Sequence, residues 1–174
     1  KLDTGMGRIG FVCGDDDSMT AEEIIEAAKL PYINVEGVFS HFSKADEADK
    51  SYTDLQFERF CRICEILEKN GVKIPFKHIC NSAGIIQFPD YHLDMVRSGI
   101  ITYGLYPSDE VDKSKISLIP AMTVKTQVTN VKKIHHESLI SYGGKYTAKP
   151  GDVIATIAIG YADGFSRILS GKAK

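Results

Sequence analysis

Short apolar segments alternate with amphipathic helical patterns along residues 1–106, and this alternation constrains the fold more than any other feature of the chain. The segments are, in order, a helix at 18–30, a strand at 34–43, a helix at 51–70, a strand at 75–81, a helix at 82–87 and a strand at 93–97. Ser18 or Thr20 is predicted as the N-cap of the first helix. Strands that alternate with helices pair in parallel. The sequence therefore predicts an α/β fold with a parallel sheet.

Three polar residues fall where the predicted strands end. His41, Asn81 and Arg97 each lie at the C-terminal end of an apolar segment. In a (β/α)₈ barrel that end of the strands carries the active site, and a complete barrel needs about 250 residues. Residues 1–106 hold only three or four strand–helix repeats, so we expect at most half of such a barrel.

The character of the sequence changes after Pro107. Residues 107–116 are polar and loop-like, and two β-rich segments follow at 122–128 and 151–160, without long helical patterns. We therefore place a domain boundary at 107–116. Residues 1–106 are predicted to form the half barrel, and residues 107–174 the first part of a β-rich domain.

Composition excludes several classes of function. The net charge is -2 and the cationic side chains are mixed with acids, so the chain has no basic stripe for nucleic acid or an anionic membrane. No apolar run approaches the roughly 18 residues of a membrane span. Cys61 and Cys64 form a CxxC pair inside a predicted helix, without a second pair in zinc spacing, and we interpret them as ordinary buried thiols. We expect no metal site and a location in the reducing cytoplasm.

Each candidate site residue also has an ordinary structural interpretation. The glycine-rich opening, 1–10, lets a ligand approach the backbone closely, or forms a simple tight turn. His41 is a ligand-facing residue or a satisfied core histidine, and Arg97 binds an anion or makes a structural ion pair. Ser82 binds an anion at a helix N-terminus, or only caps that helix. Tyr161 follows an apolar strand and is either a functional group or an exposed loop tyrosine.

Taken together, these residues favour a ligand. The predicted topology places a histidine, an arginine, an asparagine and a serine on one rim of the sheet. Two glycine-bearing segments beside them offer backbone N–H groups to an anion. This combination suits a phosphorylated cofactor that contains a ring.

Six segments of the chain resemble the alanine racemase family in sequence and in order. They are LDTGMGRIGF, GVFSHFSKAD, CNSAG, DMVRSGIITYGLYP, ISYGGKYTA and TIAIGYADGFSR. The first and last are highly specific, and the resemblance extends over nearly the whole chain. It implies the second half of a (β/α)₈ TIM-type barrel followed by the start of a β-rich C-terminal domain.

The resemblance also implies an activity. Members interconvert L- and D-alanine through an aldimine of pyridoxal 5'-phosphate, with a lysine and a tyrosine as the two bases, and supply D-alanine for peptidoglycan. They are homodimers with composite active sites. Electron withdrawal by the cofactor acidifies the α-hydrogen, and one base on each face of the α-carbon then permits racemisation.

Five residues match family positions around the ring and the substrate. Lys1 matches a lysine that can carry a carbamate and orients the neighbouring arginine, which is Arg8. Arg8 contacts the phenolic oxygen of the cofactor and the region of the substrate carboxylate. His41 packs against the pyridine ring and is linked to the catalytic tyrosine, Tyr161, which is supplied to the site of the partner subunit. Arg97 faces the pyridine nitrogen.

The remaining matches concern the phosphate and the approach of substrate. Ser82, Gly99 and Ile100 match phosphate-binding positions, the last two through backbone N–H groups. Asn81 lines the site. Asp46 matches a residue of the channel by which substrate reaches it.

One departure from the family pattern is important. No KANAYG-like segment is present, so the family's cofactor-bearing lysine is absent from this sequence. We therefore expect a piece of a longer protein that is inactive alone. A non-catalytic fragment that binds pyridoxal phosphate or phosphate, and a related racemase acting on serine, remain as alternatives. The GYADGFSR segment argues against a decarboxylase.

Overall fold

The computed structural model describes residues 1–172. They form two compact units, the first over Lys1–Met122 and the second from Thr123 onward. No helix among those residues is both long enough and apolar enough to cross a membrane. The first unit carries the α/β part of the chain and the second the β-rich part, in agreement with the predicted fold class.

The described strands of the first unit form two separate two-stranded parallel sheets. Strand β1 (Leu2–Asp3) pairs with β2 (Phe11–Val12), and β3 (Val38–Phe39) pairs with β4 (Lys77–His78). Both β3 and β4 are shorter than the apolar segments that predicted them. The β3–β4 ladder ends with the bond from Ser40 N–H to the carbonyl of His78 at 3.2 Å, and side chains satisfy the carbonyl groups of Ser40, His41 and Phe42.

The strand predicted at 93–97 does not form. Leu93 has a positive φ of 55°, which breaks the extended conformation, so the prediction was wrong for this segment. The segment nevertheless runs beside β4. Asp94 N–H donates to the carbonyl of Lys77 at 3.1 Å, and Arg97 N–H donates to the carbonyl of Cys80 at 3.0 Å. These two bonds hold Arg97 at the strand ends without a strand around it.

Three α-helices follow the predicted pattern closely. They are α1 (Ser18–Ala28), α2 (Ser51–Lys69) and α3 (Ser82–Gln87). The N-cap of α1 is Asp17, not Ser18 or Thr20, and it makes no capping bond with its side chain. Its carboxylate instead binds Arg62 of α2 at 3.0 Å, so a tertiary ion pair replaces the local cap.

The core of the first unit lies under the inner face of α2. Phe60, Ile63 and Leu67 of this helix are almost completely buried, and they belong to one cluster with Phe42 and Ile79 from the strand region. Their spacing of three to four residues places them on one side of the helix. The cluster fixes the segments that follow β3 and β4 relative to α2.

Leu67→Ala is expected to lower the free energy of unfolding by about 2–5 kcal/mol, because it leaves a cavity in a close-packed core. Leu67 has an exposed fraction of 0%. The matched control is Leu30→Ala at a leucine that is 56% exposed, where a change within about 0.5 kcal/mol is expected. Urea denaturation measures both, and equal effects at the two positions would contradict this assignment of the core.

The second unit consists of two antiparallel pairs. Strand β5 (Val128–Lys133) pairs with β8 (Val153–Ile157), and β6 (Ser138–Ile140) pairs with β7 (Tyr146–Ala148). The strand predicted at 122–128 is wrong in its bounds, since only Val128 belongs to β5. Single turns of 3₁₀-helix lie at Pro89–Tyr91, Ile100–Tyr103, Lys113–Lys115, Tyr161–Asp163 and Arg167–Leu169.

Candidate active site

An open cavity of about 400 Å³ lies in the first unit, at the ends of β3 and β4. Its lining contains the following residues: His41, Asp46, Asn81, Ser82, Ala83, Arg97, Ser98, Gly99, Ile100 and Pro107. Seven of the ten residues singled out from the sequence are therefore brought to one place. The others, Lys1, Arg8 and Tyr161, are outside this lining.

Arg97 is the hub of a hydrogen-bond network beside the cavity. Its Nη2 donates to the carbonyl of Ser40 at 2.7 Å, to the carbonyl of Ile79 at 3.1 Å and to Nδ1 of His41 at 3.1 Å. Its Nη1 donates to Nδ1 of His78. A guanidinium has only donors, so both imidazoles accept at Nδ1 and carry their proton on Nε2.

Both histidines are held neutral. Burial, followed by the positive charges of Arg97, Arg8 and Lys1, lowers the pKa of His41 to about 4. Burial and then Arg97 also lower the pKa of His78 below its ordinary value. His41 is thus uncharged at neutral pH, with an Nε2–H that is free of Arg97.

Asn81 and Ser82 connect the end of β4 to α3. Asn81 caps the helix, because its Oδ1 accepts from Gly84 N–H at 3.0 Å, while its Nδ2 donates to the carbonyl of Phe42 at 3.1 Å. The interpretation of Ser82 as the N-cap is therefore wrong. Ser82 Oγ instead accepts from Gly99 N–H at 2.9 Å and lines the cavity.

Gly99 lies close against Ser82. A Cβ atom at Gly99 would lie 3.2 Å from Ser82 Oγ, a tight contact between two residues that line the cavity. Ile100, next in the chain, begins a turn of 3₁₀-helix. The two residues form a small concave surface beside a hydroxyl group, an arrangement that suits an anion.

The glycine-rich opening is held by a buried carboxylate. Asp3 Oδ1 accepts from the N–H groups of Gly5, Met6 and Gly7 at 3.1, 2.9 and 2.9 Å. Tyr52 of α2 donates its hydroxyl to the carbonyl of Gly5 at 3.0 Å. The loop is a packed element, and the role of Asp3 in it was not predicted from the sequence.

The start of the loop places a second cation, Lys1, near Arg97. Lys1 Nζ lies 5.8 Å from the centre of the Phe39 ring, and the guanidinium of Arg97 lies 5.5 Å from the same centre. Burial and then the charge of Arg8 lower the pKa of Lys1. Lys1, Arg8 and Arg97 therefore all place positive charge near His41.

Asp46 and Tyr161 complete the set of predicted site residues. Asp46 lines the cavity, and its carbonyl accepts from the hydroxyl of Ser108 at 2.7 Å. Tyr161 belongs to the second unit, where it is exposed in a turn of 3₁₀-helix. There the guanidinium of Arg167 lies 6.0 Å from the ring centres of both Tyr161 and Tyr142.

Within residues 1–172, no cluster of three or more His, Cys, Asp or Glu side chains has metal-binding geometry. Cys61 and Cys64 are free thiols on α2, half-buried and buried respectively. Burial raises the pKa of Cys64 to about 12, which makes it an unreactive thiol at neutral pH.

Two family models match the chain. The model described as alanine racemase, N-terminal domain, matches residues 1–107, and the alanine racemase, C-terminal domain, model matches residues 121–174. Among curated relatives, the alanine racemase of Clostridium tetani is 49% identical over 98% of this chain and 43% of its own length. That of Desulforamulus reducens is 50% identical over 99% of this chain and 46% of its own length.

Solved structures give the same result. An alanine racemase of Clostridium difficile 630 superposes with a TM-score of 0.82 and 48% identity, over 96% of this chain and 43% of that one. The alanine racemase of Bacillus anthracis with bound L-Ala-P superposes with a TM-score of 0.77 and 38% identity, over 98% of this chain and 44% of that one. The chain thus spans less than half the length of these relatives. By its two domains, its sequence and its fold, it belongs to the alanine racemase family.

Proposed function

We propose that the full-length protein containing this chain is an alanine racemase that uses pyridoxal 5'-phosphate. The observation that carries the proposal is the position of Arg97, bonded to two neutral histidines at the strand ends. Relatives with the same two domains are named alanine racemases, and one solved relative is a complex with cycloserine. Small amino-acid-like ligands are thus bound by proteins of this fold.

The residues present fit the cofactor. A guanidinium has five N–H donors. The four acceptors around Arg97 are reached from Nη1 and Nη2 and use at most three of these donors, so two remain for a ring nitrogen. Ser82 with the N–H groups of Gly99 and Ile100 would hold the phosphate, with Asn81 beside it. When bound, pyridoxal phosphate acidifies the α-hydrogen of an amino acid by withdrawing electrons.

Arg97 and His41 have complementary tasks in this proposal. Arg97 offers only donors to the ring nitrogen, so it disfavours a proton there and limits side reactions such as transamination. His41 accepts from Arg97 at Nδ1, and its Nε2–H is then oriented to donate to a phenolic oxygen. Through this bond the positive charge of Arg97 would favour the phenolate of Tyr161, whose ordinary pKa of about 10 otherwise makes it a weak base at pH 7.

Racemisation needs a base on each face of the α-carbon. Tyr161 is proposed as one base, supplied by a second copy of the protein, so that the active enzyme is a homodimer with composite sites. The second base is a lysine that lies outside this sequence. Arg8, oriented by Lys1, would bind the substrate carboxylate region, and Asp46 would line the channel by which alanine arrives.

The cellular role and the domain organisation complete the proposal. D-alanine is a precursor of peptidoglycan, and we propose that the protein produces it in the cytoplasm. We also propose that the boundary between the barrel domain and the β-rich domain lies at 107–116. The two family models leave residues 108–120 unmatched, which supports a boundary in this region.

The full-length protein, loaded with pyridoxal phosphate, is expected to racemise L-alanine, and circular dichroism of the solution measures the loss of optical activity. Residues 1–174 alone are expected to show no turnover, because one base and the covalent anchor of the cofactor are missing and groups that act as a unit are not additive. A folded, cofactor-loaded protein that leaves L-alanine unchanged would contradict the proposal. Turnover of L-serine in preference to L-alanine would instead favour the serine racemase alternative.

A further inference from the structure

A fully buried amide lies directly behind His41. Gln56 of α2 has an exposed fraction of 0%. Its Nε2 donates to the carbonyl of His41 at 3.1 Å, and its Oε1 accepts from the N–H of Ser43 at 2.9 Å and from the hydroxyl of Ser43 at 3.1 Å. The same Nε2 lies 3.4 Å from Thr4 Oγ1. One side chain therefore holds the backbone on both sides of Phe42.

Beyond Ser40 this backbone has no strand to hold it. The last ladder bond runs from Ser40 N–H to the carbonyl of His78 at 3.2 Å. The carbonyl groups then accept from side chains: that of Ser40 from Arg97, that of His41 from Gln56, and that of Phe42 from Asn81. Buried backbone groups without partners are costly, so these side chains fix the path of the segment. At the carbonyl of His41, the side chain of Gln56 takes the place of a neighbouring strand.

The position of His41 is thus set at two points. Its ring is bonded through Nδ1 to Arg97 at 3.1 Å, and its main chain is bonded to Gln56. Loss of the Gln56 bond would let the backbone of His41 move and would change the direction of its Nε2–H. A displacement of about 1 Å in a catalytic group can reduce a rate by about 100-fold.

We propose that Gln56 is a positioning residue, which holds His41 in the orientation from which it joins Arg97 to the phenolic oxygen of Tyr161. The inference rests on the proposed function for the part that concerns Tyr161. The part that concerns His41 and Arg97 rests on the contacts of the first unit alone. Gln56 touches neither substrate nor cofactor in this proposal.

Gln56→Met is the test variant, because methionine has a similar length and flexibility but no strong donor or acceptor. The matched control is Thr53→Val, one turn earlier on the same helix. Thr53 is equally buried, and its hydroxyl has no hydrogen-bond partner among the described residues, so the substitution removes no bond. Gln56→Glu is the conservative variant, since burial raises the pKa of a carboxyl group and the neutral acid keeps one donor and one acceptor.

In the full-length enzyme, Gln56→Met is expected to lower kcat for alanine by about 10- to 100-fold, with KM changed less than about twofold. Thr53→Val is expected to retain kcat. Gln56→Glu is expected to recover part of the loss at low pH and to lose that recovery as its carboxyl group ionises. A loss of stability in Gln56→Met with unchanged kcat would overturn the proposal.

A second measurement does not depend on activity. Hydrogen–deuterium exchange at the imidazole C2 position, followed by mass spectrometry of the cofactor-free full-length protein, gives the pKa of individual histidines. In the wild type and Thr53→Val, His41 is expected to titrate near its lowered value of about 4. In Gln56→Met that pKa is expected to rise by at least about one unit, because the ring leaves its buried contact with Arg97 and the field of Arg8 and Lys1.

The two measurements separate the possible failures. If the wild type does not racemise alanine but the pKa of His41 rises in Gln56→Met, the positioning role stands and the proposed function fails. If the wild type is active and the substitution changes neither kcat nor the pKa, the positioning role is wrong. If Gln56→Met does not fold, Gln56→Asn carries the test through the same pKa measurement, because the shorter amide cannot reach both His41 and Ser43. An unchanged pKa of His41 in that variant overturns the inference.

Discussion

Replacing Tyr161 by phenylalanine is expected to lower alanine racemisation by about 100- to 10,000-fold, the usual contribution of a general acid–base group. The substitution removes the phenolic oxygen and little else, because Tyr161 is exposed and its hydroxyl makes no hydrogen bond among the described residues. One face of the α-carbon then has no base. We therefore expect the variant to exchange the α-hydrogen of one alanine enantiomer with D₂O while it fails to convert that enantiomer into the other.

Measurement of racemisation and of deuterium incorporation from each enantiomer separates these outcomes. Tyr32→Phe is the matched control, since Tyr32 is fully exposed and lies outside the cavity, and it should retain full activity. If Tyr161→Phe loses exchange from both enantiomers equally, Tyr161 is not one of two separate bases. If it racemises alanine at the rate of the wild type, Tyr161 has no role in proton transfer.

Arg97→Glu is expected to lower racemisation by about 100- to 1,000-fold, as removal of a preorganised donor usually does. The carboxylate would accept where Arg97 donates and would hold a proton on the ring nitrogen of bound cofactor. Electrons would then be withdrawn more completely into the ring, so we also expect slow transamination, seen as release of a keto acid, and a new long-wavelength absorbance band. The His41 and His78 rings would meet an anion in place of a cation, and their pKa values should rise.

Two controls accompany this variant. Lys125→Glu reverses the charge of an exposed side chain in the second unit and should leave the reaction unchanged. Arg97→Lys keeps the charge but cannot reach its four partners at once, so it should reduce racemisation without new transamination. Absence of both the absorbance band and the keto acid from a folded Arg97→Glu protein would argue against contact between Arg97 and the ring nitrogen.

The network around Arg97 explains why its position is robust. Arg97 is half-buried, and its hydrogen-bond partners are two carbonyl groups at strand ends and two imidazole nitrogens. Removing one partner leaves an unsatisfied group in a partly dry site, which costs about 1–3 kcal/mol. The same arrangement keeps His41 neutral, so geometry and protonation state are set together.

Much of the fold could be predicted from the periodicity of the sequence. Helix α3 has the predicted bounds, Ser82–Gln87, and α2 begins at the predicted residue, Ser51. Apolar spacing predicts helices well because burial of one face is a local property of the sequence. The strand at 93–97 failed because Leu93 adopts a positive φ, a conformation that its residue type does not predict.

The candidate site was predicted only in part. Parallel strands end at one edge of a sheet, so His41, Asn81 and Arg97 could be placed together from their positions in the chain. Gln56, Asp3 and His78 were missed, because an amide on a helix face, an acid before a glycine loop and a lysine-flanked histidine have no distinctive pattern. A polar residue on the apolar face of α2 was the one available signal for Gln56.

The sequence by itself determined the class of fold, the order of the helices and the polar residues that follow the strands, because these depend on local periodicity and on the direction of parallel chains. Tertiary structure alone decided where the strands end, which helix cap forms and which side chains satisfy the backbone around His41. Those outcomes depend on partners 15 to 57 residues apart in the chain, such as Gln56 and His41 or Arg97 and Ser40. No local pattern encodes such pairs, since each forms only when the packed core brings its members within bonding distance.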